Sequence, residues 1–272
     1  ALPLLIGNLL QQTYNIIDAA IVGQILGAKA LASVGASSSV QFLVLGFCMG
    51  SCTGFGVPVA KYFGGNNLEK MRDYIFNGAV LVGIIAAVVT TICAVFCPQS
   101  LHLLSVPEDI FDGAYAYLII IFLGIPFTLM YNYLSGILRS VGDSRTPFMF
   151  LAFSACLNIF LDLFCIIVLK WGCMGAAIAT ITAQAISGIL CFFYIRGKMQ
   201  LLRLEKENMI VQKDAVKELL GMGLPMGFQF SITAIGSMVM QAANNGLGSV
   251  YVSGFTAGMR LKQFCMCPFD AL

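Results

Sequence analysis

The sequence predicts an all-α integral membrane fold, with one six-helix transmembrane lobe followed by the start of a second. Three observations predict it. The 272 residues are 59% hydrophobic and only 10% charged, against roughly 25% charged in a soluble domain, and the mean hydropathy is +0.89. The apolar residues fall in runs of about 20, the length that crosses a hydrocarbon core of about 30 Å. Most charges avoid those runs and collect between them.

The runs place spans near residues 1–26, 31–60, 75–97, 113–138, 147–169, 174–195 and 219–243. An eighth begins near residue 250 and reaches the last residue, which predicts a chain that is a fragment at both ends. Span 1 carries Asn8, Gln11, Asn15 and Asp18 at steps of 3, 4 and 3, a single helical face. Span 2 carries Gly46, Gly50, Gly54 and Gly56, a pattern for close helix packing. Spans 2 and 3 hold the i,i+4 pairs Cys48/Cys52 and Cys93/Cys97, four of ten cysteines. In apolar runs cysteine behaves as a small hydrophobe, and the one histidine, His102, lies in a loop, so no metal site is expected.

Span 5 holds Ser154, Asn158 and Asp162 at steps of 4. Span 6 holds Thr180, Gln184 and Ser187, and Trp171 at its start suits an interfacial anchor. The 196–217 segment is the one long polar stretch, and its KDAVKELL alternates charge with apolar residues at helical spacing. It predicts an interfacial helix on the cytoplasmic face, dividing residues 1–195 from 218–272. Span 7 holds Gln229, Thr233, Ser237, Gln241 and Asn244, with Met222, Met226, Met238 and Met240 among them. Those methionines suit either an adaptable drug-facing surface or plain packing. Arg260 and Lys262 open span 8, facing a cavity or snorkelling.

Positive charge sets the orientation. The 61–73, 139–146 and 196–217 segments hold Lys61, Lys70, Arg72, Arg139, Arg145, Arg196, Lys198, Arg203, Lys206, Lys213 and Lys217. The alternate loops carry only Lys29 and Lys170. The start of span 1 is therefore expected in the cytoplasm. ALPLLIGN at 1–8 is similar to GLPMGFQF at 223–230, and ILGAKALASVGA at 25–36 to GLGSVYVSGFTA at 246–257, an offset of about 222 residues. Both units run the same way, as in a transporter of two parallel halves and twelve spans.

Serine and threonine within a span commonly join helices by hydrogen bonds worth about 0.6 kcal/mol each. Asp18 and Asp162 are different. A carboxylate inside a span marks a cavity, an ion path or a proton relay, and spans 1–7 hold no Lys, Arg or His to neutralise either one. Burial without a cation penalises the charged form of any carboxylate, and a second carboxylate nearby penalises it further. Such a group exchanges a proton, which makes it a coupling device. The sequence has no GxSxG, HExxH or P-loop signature, so no enzyme is expected. An ion gradient is the expected energy source.

Five stretches carry a family resemblance. They are QQTYNIIDAAIVGQILGAKALASVG (11–35), GFGVPVAKYFGG (54–65), GILRSVGDSRTP (136–147), GCMGAAIAT (172–180) and GMGLPMGFQ (221–229). In order, they resemble the multidrug and toxic compound extrusion (MATE) transporters. The resemblance implies twelve spans in two six-helix lobes around a V-shaped cleft. It implies antiport of organic cations or other amphipathic compounds against H+ or Na+, with no cofactor. It also implies a coupling carboxylate at Asp18, an Asn-x-x-x-Asp pair at Asn158 and Asp162, partners at Thr180 and Tyr117, and a helix bend at Pro3. Asn15, Gln11, Gln184, Gln229 and Gln241 are expected to line the cavity.

The expected function is export of cationic drugs across the cytoplasmic membrane by a monomer, with protonation of Asp18 driving release. Its expected partners are small amphipathic or cationic substrates and the lipid bilayer, with no nucleic acid. Sodium-coupled export is one alternative. A second is a related flippase of lipid-linked saccharides, although flippase cavities tend to hold several cations and spans 1–7 have none. A non-transporting membrane scaffold is the third.

Overall fold

The computed structural model describes residues 2–103, 106, 108–205 and 208–245. Among these residues every element is helical. The helices are α1 (Leu2–Leu26), α2 (Ala28–Gly64), α3 (Leu68–Leu103), α4 (Glu108–Leu123), α5 (Ile125–Ser140), α6 (Arg145–Leu163), α7 (Gly172–Lys198) and α8 (Lys213–Asn245). Five are long and apolar enough to cross a membrane, or six when α4 and α5 count as one bent span. The polar stripe of α1 keeps that helix outside the set, although its 25 residues are long enough. Counted with α1, the first six spans form a six-helix lobe, and α8 begins the next unit. The eighth expected span, with Arg260 and Lys262, lies outside the described residues.

The turns follow from local chemistry. Gly27 joins α1 to α2 alone, at φ 86, a backbone that glycine adopts without strain. Between α5 and α6, Gly142 takes φ 84, and Asp143 Oδ1 accepts from the backbone N–H groups of Arg145 and Thr146, both at 3.0 Å. Those are donors that the first turn of α6 would otherwise leave unpaired.

Two expectations need correction. The 113–138 span is not one straight helix, because α4 and α5 meet at Gly124 with a bend of 48°. Pro126 has no N–H to give to the preceding turn and its ring crowds the carbonyl four residues back. A side chain at Gly124 would also collide with Ile181 of α7. Nor does 196–217 form a separate surface helix. KDAVKELL makes the first two turns of α8, continuous with the span that follows. The chain before it includes a 3-10 turn at Gln200–Leu202.

The main core lies between α2, α3, α4 and α5, where Phe55, Met71, Leu101, Leu118 and Leu138 are fully buried. Cys48, Cys52 and Cys97 belong to this core as packing residues. His102 stacks on Phe111 with ring centres 4.6 Å apart. A smaller core gathers Val22, Tyr117, Ile121, Ile166, Ala176 and Ala177 around α1, α4 and α7. Outward, Ile84, Val88, Ile92 and Val95 expose one face of α3, which suits lipid contact and not water.

Candidate functional site

Four polar residues from three helices meet beside the smaller core. Asp162 and Asn158 stand on consecutive turns of α6, with exposures of 0% and 2%. The Asn158 amide is satisfied in one orientation. Its nitrogen then donates to Asp162 Oδ2 at 2.9 Å, and its oxygen accepts from Thr180 Oγ1 and Thr180 N of α7, both at 3.1 Å. Asp18 of α1 brings its carboxyl within hydrogen-bonding reach of Asp162. Oδ1 of Asp18 and Oδ1 of Asp162 are buried with no donor partner. Two carboxylate oxygens are both acceptors, so their contact becomes a hydrogen bond only when one carries a proton.

The ion pairs among the described residues are Lys61–Glu218 and Arg72–Glu205. Neither aspartate therefore has a cationic partner among them. Tyr14 and Tyr117 point hydroxyls toward the same place: Tyr14 reaches Thr180, Tyr117 reaches Gln41, and both lie within electrostatic range of the two carboxyls. Just beyond Asp162 the last turn of α6 widens into a π-turn, Phe164–Val168, with Leu169 N donating to Phe164 O at 3.1 Å. Such turns often sit beside functional sites.

Asp18, Asn158, Asp162, Thr180 and Tyr117 thus come together. The other expected residues whose side chains are described, Gln184, Gln11 and Gln229, do not join them. Gln184 bonds Thr128 and ties α7 to α5. Gln11 is exposed and lines a separate cavity of about 180 Å³ with Asn132, Ser135 and Arg139. Gln229 is exposed on α8. The side chains of Pro3, Asn15 and Gln241 lie outside the described residues. Sequence reasoning missed Tyr14 and Gln41. Tyr14 had a usable signal, since it precedes Asp18 by one helical turn. Gln41 also had one, since it follows Ser33 and Ser37 at steps of four.

The MatE family model matches residues 3–164. The chain is 32% identical over 268 residues to "Probable multidrug resistance protein YpnP" of Bacillus subtilis (strain 168), covering 98% of this chain and 60% of that protein. It is 28% identical to "Probable multidrug resistance protein NorM" of Thermotoga maritima, covering 98% of this chain and 58% of that one. The fold is similar to a solved outward-facing conformation of a multidrug resistance MATE family transporter of the MOP superfamily, with TM-score 0.92 and 21% identity, over 99% of this chain and 60% of that one. The chain therefore spans about three fifths of the length of the proteins it matches.

Proposed function

The chain belongs to the MatE family, and from that premise we propose that the protein is an ion-coupled antiporter exporting organic cations and other amphipathic drugs. One observation carries the proposal: two aspartates on different helices, the buried Asp162 and the half-buried Asp18, meet without a cation among the described residues. The names of its relatives support the drug class.

Protonation of Asp18 drives release. With one proton, the two carboxyls share a hydrogen bond, and the cluster loses charge that would hold a cationic substrate. With the proton gone, the like charges repel across α1 and α6, and the site attracts a cation again. Asn158 keeps Asp162 oriented through its bond at 2.9 Å and is itself held by Thr180. A bend of α1 near Pro3 transmits the change to the cavity.

The same reading places the protein in the cytoplasmic membrane as a monomer. The start of α1 faces the cytoplasm, because Lys and Arg gather at that end of the bundle. Residues 1–195 belong to the first lobe and 218–272 to the start of the second, and the 196–217 linker takes in the last residues of α7 and the first of α8.

The test is ethidium efflux from vesicles holding the full-length protein under an imposed pH gradient. Wild type is expected to export the dye only with the gradient, and Asp18→Asn not at all. Equal export by both would remove Asp18 from coupling. Export that follows a sodium gradient in place of the pH gradient would assign sodium as the ion.

A further inference from the structure

One cavity among the described residues has no part in the aspartate cluster. It encloses about 820 Å³ between α3, α5, the end of α7 and the linker. Its floor is α3, where Ala79, Gly83 and Ala87 recur every four residues and recess the surface. Met130 and Leu134 of α5 form one wall, and Leu202, Leu204 and Met209 of the linker close the end. Ile84 and Val88, exposed on α3 beside it, belong to the outward apolar face.

Length and charge identify an occupant. The α3 stretch from Ile75 to Ala87 lines the cavity, and at 1.5 Å per residue it is about 18 Å long. Half of a hydrocarbon core is roughly 15 Å, so the groove runs the depth of one leaflet. Two arginines, Arg196 of α7 and Arg203 of the linker, line its basic end. Among the described residues neither makes an ion pair; the pairs there are Lys61–Glu218 and Arg72–Glu205. An apolar trough of leaflet depth with two guanidinium groups at headgroup level matches an anionic amphiphile. Guanidinium binds phosphate oxygens in a two-pronged fashion, and basic pockets at helix ends suit anionic headgroups.

We propose that this cavity binds one anionic phospholipid, with an acyl chain along α3 and the phosphate between Arg196 and Arg203. A lipid so placed joins the first lobe to the linker that leads into α8. The site rests on the membrane placement of the bundle and not on the coupling chemistry. Dye efflux by Asp18→Asn reads a different cluster, so either proposal can fail without the other.

The experiment is native mass spectrometry of the full-length protein released from nanodiscs of mixed phosphatidylglycerol and phosphatidylcholine. Wild type is expected to retain one phosphatidylglycerol in preference to phosphatidylcholine. Replacing both arginines (Arg196→Gln with Arg203→Gln) should cut that preference roughly tenfold and leave thermal unfolding in pure phosphatidylcholine unchanged. The paired control, Lys198→Gln with Lys213→Gln, removes two charges from the same end outside the cavity and should keep the preference. A side chain at Gly83 meets nothing within 4 Å, so Gly83→Trp should fold and exclude both lipids. Equal retention of the two lipids by wild type overturns the site. So does equal loss in the lysine control, or phosphatidylglycerol still held by a folded Gly83→Trp.

Discussion

At the scale of single residues, the candidate site depends on which atoms are satisfied. Asn158 donates to Asp162 and accepts twice from Thr180. Asn158→Leu keeps the volume but leaves Asp162 Oδ2 and the Thr180 hydroxyl without that partner. A buried polar group left unpaired costs about 1–3 kcal/mol. The variant should unfold at lower temperature and export as poorly as Asp18→Asn. Thr180→Val removes the hydroxyl that meets both Asn158 and Tyr14 and should cost about 1–3 kcal/mol, read by the same melting measurement. Tyr14→Phe is a gentler change, because the ring stays and only the hydroxyl that reaches Thr180 is lost. Its expected signature is weaker gradient-driven efflux with a smaller fall in melting temperature than Thr180→Val. Efflux equal to wild type would leave Tyr14 as a packing residue.

Among the elements, α2 and α8 approach most closely through glycines. A side-chain carbon at Gly54 would sit 2.6 Å from Gly223 Cα and 2.7 Å from Met222 O, and one at Gly50 would sit 2.6 Å from Met226 O. These neighbours are backbone and cannot rotate away, so Gly54→Ala must push the helices apart. Overpacking of this kind costs about 1–3 kcal/mol or more. Gly35, on the same helix, meets nothing within 4 Å. Gly35→Ala should instead stabilise by up to about 1 kcal/mol through helix propensity. Opposite shifts in thermal unfolding of the two variants in detergent are the expected result, and equal shifts would contradict the packing argument. The small-residue pattern of span 2 was legible in the sequence, but its partner was not.

Across the whole molecule, the linker is fastened to the first lobe. Asn77 is fully buried; its side chain donates to Ile210 O at 3.2 Å and accepts from Gln212 N at 2.9 Å. Asp73 accepts from Asn208 at 2.8 Å and from Gln212 at 3.1 Å. Arg72 pairs with Glu205 at 3.1 Å, and Lys61 with Glu218 at 3.1 Å. Exposed pairs of this sort contribute about 1 kcal/mol or less, so the buried Asn77 is the firmer tie. Asn77→Ala strands a backbone N–H and a C=O of the linker. It should speed tryptic cleavage after Arg196, Lys198 or Arg203 several-fold, while Lys61→Gln changes the rate little. Cleavage at the wild-type rate in Asn77→Ala would show that the linker is held by its other contacts.

By itself the sequence determined the membrane class, the approximate spans and the presence of two aspartates inside them. Hydropathy, charge placement and helical spacing are local properties, and a carboxylate inside an apolar run is conspicuous without coordinates. Tertiary structure alone decided what each face meets. Asp18 and Asp162 are far apart in the chain, and only the packing of α1 on α6 brings them together. The same packing sorted Gln184 and Gln11 away from the cluster and brought Tyr14 and Gln41 to it. The 48° bend at Gly124 and the fusion of KDAVKELL into α8 also escaped the local pattern. Each depends on what a neighbouring helix permits, and spacing along one chain segment does not encode its neighbours.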